Sequence, residues 1–195
     1  MKTTYFPLLL LLCFGLIGFS GCGEDGVVLE TLNYDGANFT APQNGVGMNV
    51  FAAYFPESEI QSRGVAGRQL ERIDFWLQSV PTQTNVVVYG FSGNDAIPGT
   101  ELYRVDLTQR INNPGWVEHI IPGGLTIPES GIWLAVETDL AANFAQSIGC
   151  DEGLNYNPNG DRMLTPSSGG WSSFNAITGN ETINWNIRGV LGELE

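Results

Sequence analysis

Ile73-Asp74-Phe75-Trp76-Leu77-Gln78 alternates apolar and polar side chains with a period of two. Successive side chains of a strand point to opposite faces, so Ile73, Phe75 and Leu77 form a core face while Asp74, Trp76 and Gln78 form the other. Other stretches follow the same pattern. Asn85-Val86-Val87-Val88-Tyr89-Gly90-Phe91 is β-branched and aromatic, and Glu101 to Val105, Trp116 to Ile121, Ile132 to Glu137 and Trp185 to Val190 read as further short strands. Pro98-Gly99, Asn112-Asn113-Pro114-Gly115, Pro122-Gly123-Gly124 and Pro128 to Gly131 read as turns between them. Pro56-Glu57-Ser58-Glu59-Ile60 is the best helix candidate, at a turn or two. Short strands at regular spacing predict an all-β fold: a two-sheet antiparallel β-sandwich occupying residues 27–195.

The chain opens on a different kind of segment. Met1-Lys2 precedes the apolar run Leu8 to Phe14, and Phe19-Ser20-Gly21-Cys22 places small residues before a cysteine, which resembles a lipobox. Residues 1–21 read as a lipoprotein signal peptide, Cys22 as the lipidated residue and residues 22–26 as a short tether. The run from Leu8 to Phe19 is shorter than the roughly 20 residues of a spanning helix, so the expected membrane attachment is the lipid. Gly23 in place of aspartate argues against retention at the inner membrane, and Glu24-Asp25 resembles the acidic surface-export signal of Bacteroidota lipoproteins. The expected location is the outer membrane or cell surface.

Composition narrows the partners. The chain carries 21 acidic against eight basic residues, a formal charge of −13, and its only lysine, Lys2, lies in the signal. Nucleic acid is disfavoured, because binding to phosphate needs a basic patch. With Cys13 in the signal and Cys22 blocked by lipid, Cys150 has no disulfide partner and reads as a small buried hydrophobe. The single histidine, His119, falls in the alternating run Trp116-Val117-Glu118-His119-Ile120 and reads as a half-exposed sheet residue. Serine-hydrolase elbows, paired-cysteine metal motifs, H-E-x-x-H and phosphate-cradling glycine loops do not occur, so no catalytic residues are assigned.

Several landmarks recur in a consistent order: Tyr34-Asp35-Gly36 on a first strand, Phe51 to Phe55, Leu70 to Phe75, Val86 to Gly90, Pro98 to Tyr103, Gly115-Trp116-Val117, Ile132-Trp133-Leu134, Gly170-Trp171 and Trp185 to Arg188. From about residue 30 onward this resembles the jelly-roll-like β-sandwich modules of Bacteroidota surface proteins, the cleaved-adhesin and carbohydrate-binding-like domains. The resemblance implies a jelly-roll-like sandwich that works by binding or assembly.

Two sites follow from the residues. Trp133, Trp185, Trp116 and Trp171 are assigned mainly structural roles, whereas Trp76 points outward with Asp74 and Gln78, a composition suited to a sugar ring and its hydroxyls. Asp151, Asn155, Asn157, Asn159 and Asp161 offer oxygen ligands at alternating spacing for a loop-bound Ca²⁺. An EF-hand is excluded, because the twelfth position counted from Asn155 is Pro166. The expected function is a non-enzymatic, lipid-anchored module binding an extracellular glycan or protein. The alternative is a structural or assembly subunit of an outer-membrane complex with no small-molecule site.

Overall fold

The computed structural model describes residues 30–143 and 145–193. The signal segment, Cys22 and the tether lie outside the described residues, and no described helix is long and apolar enough to cross a membrane. The strands are β1 (Thr31–Leu32), β2 (Gln43–Asn44), β3 (Gly47–Pro56), β4 (Gln69–Leu77), β5 (Gln83–Phe91), β6 (Pro98–Asp106), β7 (Gly115–Thr126), β8 (Gly131–Leu140), β9 (Ala145–Gln146), β10 (Arg162–Leu164), β11 (Ser172–Ser173) and β12 (Ile187–Leu191). Two short helices interrupt them, α1 (Glu57–Arg63) and α2 (Phe174–Thr178).

The strand pairs are nested. β5 pairs with β6, β4 with β7, β3 with β8 and β2 with β9, all antiparallel. A long hairpin rolled upon itself in this way is a jelly roll, and it leaves a four-stranded sheet β1-β12-β4-β7 facing a six-stranded sheet β11-β10-β3-β8-β5-β6. The fold is thus an all-β antiparallel sandwich.

Between the sheets lies the main core. Ile73, Phe75 and Leu77 from β4 meet Phe51, Ala53 and Phe55 from β3 and Val86 and Val88 from β5, all buried. Removing each large side chain from water contributes about 1.5–3 kcal/mol, which offsets the ordering of the strands. Trp185 seals one end, its ring 4.9 Å from Phe51 and 5.5 Å from Phe174, and its indole N–H donates to the Arg162 carbonyl at 3.0 Å. A smaller cluster covers the outer side of the six-stranded sheet, where Tyr54 stacks on Trp133 at 4.5 Å and both rings are buried.

Several local expectations are corrected. Tyr34-Asp35-Gly36 follows β1 as a loop instead of lying in a strand. Pro98-Gly99 and Pro122-Gly123-Gly124 belong to β6 and β7. Gly123 and Gly124 have φ of 78° and 67°, and β7 slips register against β4 between Leu70 and Arg72, so these glycines make a bulge that bends a continuing strand. The helix expected from Pro56 runs from Glu57 to Arg63 and ends on Gly64 at φ 65°. A second helix, α2, is capped by the Ser173 hydroxyl, which accepts from the Ala176 N–H. His119 is buried: β7 turns it inward, where its Nε2 lies 2.7 Å from the Tyr103 hydroxyl on β6, across the two sheets. Burial and the nearby Arg110 lower its pKa. Cys150 is buried as expected, and burial, with Asp151 beside it, pushes its thiol up to about 12.

Candidate functional site

The outer face of the four-stranded sheet carries the alternate residues of β4, β7 and β12. In the first of two neighbouring rows, Arg188 pairs with Asp74 and Asp74 with Glu118. In the second, Trp76 pairs with Trp116. Trp76 and Asp74 face outward, as their alternation requires, and Gln78 is exposed just beyond the end of β4.

Trp116, assigned a mainly structural role, lies on the outer face through its pairing with Trp76, where it stays 40% exposed. Its ring is held rather than free. The Arg188 guanidinium lies over it at 4.4 Å, and Trp76 meets it edge to face at 5.8 Å. Trp76 is partly covered by the segment that follows β9. The Gly149 N–H donates to the Trp76 carbonyl at 3.0 Å, and a Cβ at Gly149 would come 2.5 Å from Trp76 Cδ1. The buried Trp76 Nε1 has no hydrogen-bond partner.

Charges on this face are paired. Arg72 donates to Asp74 at 2.9 Å and approaches Glu118 at 3.3 Å. Desolvation nevertheless leaves Asp74 with a raised pKa, against the opposing pull of Arg72. Arg188 donates through Nε to Asp35 at 2.9 Å and through Nη2 to the Gly36 carbonyl at 2.8 Å. Asp35 also accepts from the Asn186 side-chain amide at 2.7 Å.

Asp35 connects this face to a cleft of about 330 Å³ between residues 34–39 and the loop that begins at Asp151. Asp151 braces the opposite wall. Its carboxylate accepts from the backbone N–H groups of Gly36 at 3.1 Å, Gly153 at 2.9 Å and Asn184 at 2.7 Å, and from the Asn184 amide at 3.0 Å. Phe39 and Leu154 stand exposed on the rim, and Asn38, Glu152 and Asn155 supply polar groups. The cleft and the sheet face meet at Gly149, where an added Cβ would approach both Asn38 Oδ1, at 2.2 Å, and Trp76.

The five oxygen ligands expected for Ca²⁺ are distributed between two places. Asp151 and Asn155 line the cleft, and Asn157, Asn159 and Asp161 do not. Asn157 Oδ1 accepts from the Asn159 N–H, and Asn159 Oδ1 from Arg162. Asp161 is fully buried beside the start of α2, accepting from the Asn175 N–H at 2.9 Å and the Tyr156 hydroxyl at 3.2 Å, while its Oδ1 has no partner. Burial raises its pKa. Among the described residues, no three His, Cys, Asp or Glu side chains gather as a metal centre.

Asp35, Asn38, Trp116 and Arg188 are the parts of this surface that sequence reading missed. The outward phase of Arg188 was available from its alternation with Trp185 and Ile187. The loop partners depend on contacts across more than a hundred residues, which no local pattern carries. Comparison of the chain with protein-family models, with curated proteins and with solved structures finds no match.

Proposed function

We propose that this chain is a lipid-anchored cell-envelope module that binds an extracellular glycan through the outer face of its four-stranded sheet and catalyses no reaction. The observation that carries the reading is the half-exposed Trp116 indole, fixed between Arg188 and Trp76. An aromatic face that is already immobile loses little freedom when the C–H face of a pyranose stacks on it. The carboxylates of Asp74 and Glu118 occupy the neighbouring row of the same face, and Asn155 lines the adjoining cleft, as groups to bond hydroxyls. The anchoring part of the reading is supported by the small residues before Cys22.

The test is a glycan array probed with the full-length chain in detergent micelles. Retention of a glycan by the wild type and its loss in Trp116→Ala, with an unchanged circular dichroism spectrum, is the expected result. Absence of any glycan binding, together with co-purification of a fixed outer-membrane partner, would instead favour the assembly-subunit reading. Metabolic labelling with an alkyne fatty acid should tag the wild type and not Cys22→Ser.

A further inference from the structure

The charges around Trp116 restrict what kind of glycan fits. Arg72 and Arg188 are the basic residues of this face, and both are committed to carboxylates, Arg72 to Asp74 and Glu118 and Arg188 to Asp35. The adjoining cleft contains Asp35, Asp151 and Glu152 and no basic residue. A carboxylate or sulfate on a ligand therefore meets a net negative potential and, among the described residues of this surface, finds no uncommitted cation. The field of a chain at −13 adds to the same repulsion.

The size of the cleft suits a single sugar. At about 330 Å³ it lies near the lower limit of small-molecule pockets, which run from roughly 300 to 1,000 Å³. That is room for a terminal sugar instead of a long chain segment. Phe39 and Leu154 offer apolar rims, and the exposed Asn155 amide can donate to and accept from hydroxyls. Glu152 is the cleft's exposed carboxylate, for Asp35 and Asp151 are buried and hydrogen-bonded.

We infer that the ligand is an uncharged glycan, and that the cleft beside Trp116 seats its terminal sugar and rejects anionic counterparts through Glu152. The inference rests on the glycan-binding reading and adds the chemical class. Rejection comes from long-range repulsion, so it weakens as salt shortens the Debye length from about 30 Å at 0.01 M to about 3 Å at 1 M.

Matched probes separate charge from stereochemistry. Neutral gluco-, manno- and galacto-oligosaccharides, each paired with its C6-carboxylate form, are presented to the full-length chain in micelles at low and at high ionic strength. For whichever pair binds, the neutral member should hold about tenfold or more tighter at low salt, with the gap narrowing at high salt. Glu152→Gln should narrow the gap between the two members at low salt by strengthening the carboxylate form relative to the neutral one, and Asn155→Ala should weaken both members. Equal or tighter binding of the carboxylate form at low salt overturns the inference while the glycan reading stands. A gap that Glu152→Gln does not narrow removes the cleft as the selecting subsite. If neither member of any pair binds, the glycan reading fails and this inference with it.

Discussion

Asp35 and Arg188, 153 residues apart in sequence, meet through Nε at 2.9 Å and Nη2 at 2.8 Å from Oδ2, so the loop after β1 is fastened to the last strand by a buried carboxylate. Both ends of that contact also belong to the candidate site. Arg188 covers Trp116, and Asp35 lines the cleft.

Arg188→Met strands the Asp35 charge in a buried position. Breaking a fully buried pair costs about 3–5 kcal/mol, and the partial solvent exposure of Arg188 brings the expectation to about 2–3 kcal/mol. Urea unfolding should read this loss, and Asp35→Asn in the same chain should restore part of it. An unchanged midpoint in the single variant would mean that the ion pair does not brace the loop.

Trp185→Ala removes a buried ring and its indole bond to the Arg162 carbonyl. The expected destabilisation is about 3–5 kcal/mol, a large fraction of the 5–15 kcal/mol that holds a typical domain together. A midpoint within the error of the wild type would show that the end of the sandwich is not closed by this side chain.

His119 supplies a dependence on acid. Its folded pKa lies below its ordinary value of about 6.5, so the unfolded chain takes up the proton first and stability falls as pH drops through that value. Unfolding followed between about pH 7.5 and pH 5 should therefore show a larger loss for the wild type than for His119→Gln. Parallel curves would mean that the histidine does not titrate out of register with the unfolded state.

Asp161 works in the opposite direction. Its folded pKa is raised, so its stabilising contribution is full when the carboxyl is protonated and is lost as pH rises through the folded value. Asp161→Asn should accordingly be more stable than the wild type at neutral pH, with the two converging in acid. Calorimetry with EDTA and then with millimolar calcium adds a second readout. A calcium-dependent rise in the wild type that Asp161→Asn abolishes would establish a metal at this carboxylate, whereas equal traces would leave Asp161 a buried hydrogen-bond acceptor.

How far the fold could be read in advance depended on how local each signal was. The alternation from Ile73 to Leu77 lies within one strand, and its phase appears in the structure as written. Trp116 to Ile121 has two nearly equivalent phases, since Trp116, Glu118 and Ile120 form one face and Val117, His119 and Ile121 the other, each with one polar member. Only pairing with β4 chooses between them, so the run alone does not show that Trp116 faces out and His119 in. Pro122-Gly123-Gly124 looked like a turn because a turn and a bulge draw on the same positive-φ glycines.

The chain enters and leaves the sandwich at the same end: the Leu191 N–H donates to the Glu30 carbonyl, and Arg68 donates to the Gly192 carbonyl. Along β4 the distance from Gln69, at that end, to Leu77, beside Gly115 and Trp116, is eight strand steps, about 26 Å at 3.3 Å per step. If Cys22 is lipidated as proposed, the anchor joins the sandwich at its Glu30 end, a sheet's length from Trp116. Under that proposal, a pull on a glycan held at Trp116 would run lengthwise along β4 and β12, loading their hydrogen bonds together in shear instead of peeling them one at a time.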